Sequence, residues 1–451
     1  MSSPAPPPAA SASPGPDGSA DGSLARRLGT ADAAIIGVGS MIGAGVFVAF
    51  APAAAHAGAL LPAALLLAAV VAWCNATSTA QLAMVHPASG GAYVYANRQL
   101  GPWAGFAAGW GFVTGKTASA AGMSMAVGLY VAAALGIDDG AAVARGVAVA
   151  AIAALTCVNL GGITRTAGLT RLLVGVVLLI LAVVAGLGAA ALSIGPVGGA
   201  APRPEAGAAE LPGVLTAAGL LFFAFAGYAR VATMGEEVRD PQRSIPRAIL
   251  GALAFVLVVY LVLAGLLLGL LGAGGLAVSP APFVSASEEI AVRLGLGDGA
   301  AAALATAVAV AAAAGALGAL LALIAGISRT SLAMARERDL PGFLRRISDR
   351  KVPWAAELTT AMLVIGLIAF TDLHTVIGFS SFGVLVYYAL ANLSALTLRE
   401  RPRWAPRALN IVGLIGCLLL AFTLPWQSVV VMLAVFAVGF AGRAAVLSRR
   451  G

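Results

Sequence analysis

Charge is what this sequence has least of. Only 10% of its 451 residues are Asp, Glu, Lys or Arg, against about 25% in ordinary soluble domains. With a hydrophobic share of 60%, a bundle of membrane helices accounts for the shortfall better than a very large soluble core. Cysteine is scarce too. Cys74, Cys157 and Cys417 all sit in apolar segments at no metal-ligand spacing, so they read as small buried hydrophobes. No outer-loop cysteine is available to link a partner chain. His56, His86 and His374 are scattered. A polytopic membrane enzyme would need a cluster of catalytic side chains at the surface, and none is present. His374, at an outer helix end, is at most a pH-sensing candidate. The phosphate-binding G-x-x-x-x-G-K-[ST] of ATP-driven pumps is missing. Gly115-Lys116-Thr117 matches only its ending, without the upstream glycine. No filter-like repeats or ring of charges suggest a channel.

What is present is apolar sequence interrupted by glycine. The segment Ala34–Phe50 suits a bilayer, yet carries Gly37, Gly39, Gly43 and Gly45. Each glycine weakens a helix by about 1 kcal/mol relative to alanine, so the cluster predicts a helix that breaks halfway across. Lipid cannot satisfy the backbone groups such a break frees, so broken helices persist only where protein or a cavity covers them. A second break is predicted at Phe222-Phe223-Ala224-Phe225-Ala226-Gly227. A lone glycine pair would read as a close-packing device. Two breaks, each opening half of a hydrophobic chain, favour a midplane site for a small charged solute.

Residues 1–23 are rich in Pro, Ala, Ser and Gly and read as a disordered cytoplasmic tail, without the basic start and apolar core of a signal peptide. Twelve transmembrane helices follow, near 31–52, 59–83, 102–133, 140–159, 170–193, 213–235, 246–272, 300–329, 355–371, 374–398, 408–424 and 427–447. Pro246 is expected in the first turn of the seventh. A short amphipathic piece is expected near Glu288 to Leu294. Net charge is +8, but the positives form no nucleic-acid patch. Of 27 lysines and arginines, only Arg145, Arg203 and Arg293 fall near outer ends, and Lys116 and Arg230 lie within helices. The rest mark the inside, so both termini are expected in the cytoplasm of a multi-pass protein of the cytoplasmic membrane. Residues 24–451 form the transporter domain. Segments 31–194 and 211–398 each begin with a broken helix and each hold five helices, an odd number, so they are expected as an inverted repeat. Residues 408–447 add two helices.

The segments GVGSMIGAGVF, PASGGAYVYANRQLGPWAGFAAGW and FFAFAGYARVATMGEEVRDPQRSIPRAI resemble the amino acid–polyamine–organocation permeases, in order over about residues 26–440. The resemblance implies an all-α integral membrane protein with a LeuT-like five-plus-five inverted repeat, two added helices, and alternating-access transport of amino acids or related amines. No cofactor is expected, and with no outer-loop cysteine no obligatory protein partner is evident. The resemblance places a substrate carboxylate on the backbone N–H groups of Ala44 and Gly45, close to Gly43. The ammonium falls on the carbonyls of Met41, Phe223, Ala224 and Ala226. Ser40 adds a hydroxyl, and Phe223 aligns with an aromatic that closes over substrate in relatives.

The side-chain pocket reads as small and apolar, with Phe225 and Ser119 as candidates. No acidic residue lies deep in helices 1, 3, 6, 8 or 10, which favours neutral amino acids over arginine or polyamines. Lys116 stands about fourteen residues into the third helix, near the midplane at about 1.5 Å per residue. A charge there costs about 2.5–3.5 kcal/mol on insertion scales. The chain has two lysines against 25 arginines, so this one is not a generic basic residue. Many proton-coupled relatives carry a lysine in the fifth helix, where this chain has Val176 or Val177. Lys116 is therefore either an analogous proton carrier or a fixed lysine bonded to helix carbonyls. Arg230 is either an inner-gate partner of Asp32 or of Glu236 and Glu237, or a snorkelling side chain. Ser328 and Thr330 are weak candidates for a sodium site. Secondary active uptake of neutral amino acids with protons is the leading reading. An exchanger or exporter, or a cationic amino acid or polyamine carrier, is the alternative.

Overall fold

The computed structural model describes residues 29–43, 45–86, 91–137, 140–161, 166–195, 210–232, 238–399, 401–402 and 404–448. Every regular element among them is a helix. In chain order they are α1 (Thr30–Ile42), α2 (Gly45–Val48), α3 (Phe50–Ala57), α4 (Leu61–Val85), α5 (Ala92–Leu100), α6 (Pro102–Ala134), α7 (Ala141–Leu160), α8 (Thr166–Ile194) and α9 (Leu211–Phe225). There follow α10 (Ala229–Ala232), α11 (Pro241–Val278), α12 (Pro282–Leu294), α13 (Asp298–Arg336), α14 (Trp354–Phe370), α15 (Leu373–Leu396), α16 (Arg407–Phe422) and α17 (Trp426–Ser448). The predicted tail 1–23 lies outside the described residues, as do Ala44, Glu236 and Glu237.

Nine helical segments among the described residues are long and apolar enough to cross a membrane, and α9, α14 and α16 are shorter apolar helices. Large apolar side chains face outward, with Phe370 90% exposed and Val438 70%. So many exposed large apolar side chains would drive aggregation in water and suit a lipid surface. The protein is a multi-pass membrane protein.

Helix starts follow local chemistry. Proline occupies the first turn of α4, α6, α9, α11 and α12, where its missing N–H has no partner to lose. The Asp372 carboxylate accepts from the Thr375 N–H at 2.9 Å and caps α15.

Three stretches differ from expectation. The first inner loop folds into the helix α5. Pro246 is not in a first turn, because the chain reverses at Asp240 with a left-handed φ of 46° and Pro241 opens α11 instead. The break at Gly272, with φ 69°, falls where the seventh helix was expected to end, and helical structure resumes to Val278. The amphipathic piece near Glu288 is the last half of α12.

The centre of the bundle is α6, packed along α13 and α15, while α1 packs on α11 and α4 packs on α9 and α11. Two polar joints hold the periphery. The buried Arg443 of α17 pairs with Asp339 at 3.0 Å, and the Tyr93 hydroxyl of α5 donates to the other carboxylate oxygen at 2.9 Å. The Arg443 guanidinium also lies 4.6 Å from the Trp103 ring centroid. Deeper in, the Asn410 amide of α16 donates to Ser78 at 2.6 Å. Ser78 of α4 in turn donates to Asn392 of α15 at 2.6 Å. Buried amides in an apolar bundle are stable only when bonded in this way.

Candidate functional site

Two interruptions face each other in the core. Helix α1 ends at Ile42 and α2 restarts at Gly45. Helix α9 ends at Phe225, and the chain turns through Ala226, Gly227 and Tyr228 before α10. The interruptions touch backbone to backbone. A Cβ on Gly45 would stand 2.5 Å from Ala224 Cα, and one on Gly227 would stand 2.3 Å from the Ser40 carbonyl oxygen. Only glycine permits either approach, so these residues serve packing as well as helix breaking.

A cavity of about 350 Å³ opens beside this junction, within the ~300–1,000 Å³ usual for small-molecule sites. Its wall includes Ser40 from α1, Lys116 and Ser119 from α6, Phe223 and Ala226 at the second break, and one stripe of α13 from Ala319 to Arg336. That stripe is about 25 Å long at 1.5 Å per residue. Arg230, Arg329 and Arg336 also line the cavity, and no Asp or Glu does so among the described residues. The Arg336 end leads into the arginine-rich segment 337–353.

The carbonyls freed at the breaks already have donors. The Tyr260 hydroxyl of α11 donates to Met41 O at 2.8 Å and to Ala224 O at 3.1 Å, joining the two breaks through one oxygen. Tyr130 of α6 donates to Phe47 O of α2 at 2.9 Å. The Lys116 ammonium donates to Ala226 O at 3.1 Å, an acceptor shared with the Tyr388 hydroxyl at 3.4 Å. Phe223 O accepts from Ala226 N at 3.4 Å. A carbonyl oxygen has two lone pairs, and both of those on Ala226 O are addressed, by Lys116 and Tyr388.

Ser40, Lys116, Ser119, Phe223, Ala226 and Arg230 thus meet on one cavity. Ser119 and Ser380 share a hydrogen bond of 2.5 Å. Phe225 is fully buried against the Tyr260 ring at 5.3 Å and does not line the cavity. Asp32 is engaged by Arg171 at 2.6 Å, a residue given no role on sequence grounds. Val177 is buried and reaches toward Gly315 of α13. Thr330 lines the cavity, while Ser328 faces the other way and donates to Glu357 of α14 at 3.4 Å.

Tyr130, Tyr260, Tyr388 and Glu357 were not anticipated. A signal existed for the tyrosines: the chain has only seven, and these three stand inside apolar runs, where a hydroxyl must find an acceptor. Glu357 is an acidic residue in an apolar helix, and is buried.

Residues 28–442 match the family model described as Amino acid permease. A transporter of Mycobacterium tuberculosis is 51% identical over 437 residues, covering 95% of this chain and 93% of that protein. The branched-chain amino acid permease BcaP of Bacillus subtilis is 26% identical, covering 93% of each chain. The vacuolar cationic amino acid transporter 4 of Arabidopsis thaliana is 30% identical, over 84% of this chain and 64% of that protein. The family match runs through both helix breaks and the whole cavity wall, and with it this chain belongs to the amino acid permeases of the amino acid–polyamine–organocation superfamily.

Proposed function

We propose that this permease carries neutral amino acids across the cytoplasmic membrane by alternating access, coupled to protons. Both termini lie in the cytoplasm. Residues 31–194 and 211–398 form the two inverted five-helix repeats, and 408–447 add the last two of twelve spans. The observation that carries the reading is the meeting of two interrupted helices at the buried end of a cavity. An amino acid presents a carboxylate and an ammonium. The restarted helix from Gly45 presents N–H groups to the carboxylate, with Ala44 and Gly45 as the donors and Gly43 and Ser40 beside them. The end of α9 presents carbonyls to the ammonium, at Phe223, Ala224 and Ala226, with Met41 opposite. Each helix end contributes about 0.3–2 kcal/mol to such a charge. Phe223 closes over the substrate.

A cationic substrate fits less well. Lys116, Arg230, Arg329 and Arg336 line the cavity, and like charges repel a second cation along the whole route. Among the relatives, BcaP is named for branched-chain substrates, which agrees with a wall of Phe112, Met123, Phe223 and alanines. Lys116 is the proton carrier in this scheme, neutral in one conformation and charged in the other. Arg230 serves the inner gate. Asp32 takes part from the cytoplasmic end of α1, through Arg171 in the conformation described.

The test is uptake by proteoliposomes of radiolabelled amino acids and amines, with and without an inward proton gradient. Gradient-stimulated uptake of a few neutral amino acids is expected, with the stimulation lost in Lys116→Ala. Undiminished proton dependence in that variant would end the coupling role. Uptake confined to vesicles preloaded with amino acid would make the protein an exchanger, and movement of no amino acid or amine would overturn the substrate class.

A further inference from the structure

We propose that the Lys116 ammonium is a built-in competitor for the seat of the substrate's own ammonium, so that a substrate must displace it from the Ala226 carbonyl in order to bind. The inference rests on the reading of the cavity as an amino acid site and adds to it the state of that site when empty.

Ala226 follows the last residue of α9, where helix carbonyls run out of donors and the negative pole of the helix emerges. The next backbone donors look elsewhere: Arg230 N bonds Gly227 O at 3.1 Å, and Val231 N bonds Tyr228 O at 3.0 Å. Ala226 O is instead met by two side chains from neighbouring helices, Lys116 of α6 at 3.1 Å and Tyr388 of α15 at 3.4 Å. No described acidic side chain lines the cavity, so the exposed carbonyl end of α9 is its principal cation-attracting group. Lys116 is 7% exposed and donates to no other described acceptor. A charged amine buried without a carboxylate partner is stable only where such a pole receives it.

A substrate ammonium seeks the same pole. The second lone pair of Ala226 O is already addressed by Tyr388, and two ammonium groups on one carbonyl would repel across a few ångströms of poorly screened space. Lys116 therefore gives way as the substrate ammonium arrives. A ligand with the same side chain and carboxylate but no ammonium makes no such demand and leaves Lys116 in place. The competition is thus specific to one group on the ligand. It separates this role from a general effect of removing a buried charge.

The experiment is a cycle between protein and ligand. Binding of valine, leucine and phenylalanine, and of their counterparts lacking the ammonium (isovalerate, isocaproate and hydrocinnamate), is measured by calorimetry to the full-length protein in nanodiscs. The wild type is compared with Lys116→Met, or with Lys116→Gln should the first variant fail to give a monodisperse protein. The expected result is amino acid binding about tenfold tighter in the variant, within the usual range of site–site coupling, with binding of the ammonium-free acids unchanged. Equal tightening for both ligand sets would overturn the proposal, because the effect would then be one of charge removal. Weaker binding of both sets would also overturn it and would assign Lys116 to the ligand carboxylate. If neither protein binds any amino acid while the ammonium-free acids still bind, the substrate reading falls and this inference falls with it.

Discussion

Lys116 and Tyr260 carry the chemistry of the junction with one polar group each. Among the described residues, the Tyr260 hydroxyl is the side-chain donor that touches both interrupted helices, at Met41 and at Ala224. Its one proton is shared between these two carbonyls, and removing it takes their common donor away; an unsatisfied buried acceptor costs about 1–3 kcal/mol. Tyr260→Phe, which keeps the ring and its packing on Phe225, is therefore expected to destabilise the protein by about 1–3 kcal/mol, read as a lower thermal midpoint in detergent, and to slow uptake. An unchanged midpoint would mean that solvent satisfies both oxygens. At this scale the sequence was only half legible. Lys116 stood out because lysine is so rare here and because an amine is so poorly placed at mid-membrane. Its acceptor did not stand out, since a backbone carbonyl has no sequence signature.

Among the elements, the two interrupted helices are the feature that sequence predicted best, because the cause is local: glycine clustered inside an apolar run weakens the helix wherever it occurs. What the glycines do beyond that is tertiary. Gly227 is pressed on the Ser40 carbonyl, so Gly227→Ala must part the two breaks by about 1 Å. It is expected to destabilise the protein by about 1–3 kcal/mol and to abolish most uptake. Gly251, exposed in mid-α11 with open space where a Cβ would stand, is the control. Gly251→Ala is expected to be neutral or to stabilise by up to ~1 kcal/mol, with uptake retained. Equal loss in both variants would show that the effect of Gly227→Ala does not come from its contact with Ser40. Helix α5 was missed because it is short and amphipathic. Its apolar face is defined only by α6, α15 and the Asp339 joint that cover it.

For the molecule as a whole, the proposed orientation makes a sided prediction. With native cysteines replaced, Asp349→Cys in the exposed segment between α13 and α14 is expected to react with a membrane-impermeant maleimide only from the cytoplasmic face. Gly299→Cys, exposed at the start of α13, is expected to react only from the outside. Reversed labelling would invert the topology, and labelling of both from one side would remove α13 as a span. The membrane-embedded, multi-helix character, the approximate positions of the long apolar helices and the two interruptions were determined by the sequence itself. Each depends on the composition of a few consecutive residues and on backbone propensity. Tertiary structure alone decided who satisfies the freed carbonyls and who pairs with whom. Lys116 and Ala226 are 110 residues apart, Asp32 and Arg171 139, and Met41 and Tyr260 219. At such separations an apolar run of helices allows many pairings, and close packing of the bundle selects among them those that give the freed carbonyls of Met41, Ala224 and Ala226 a donor.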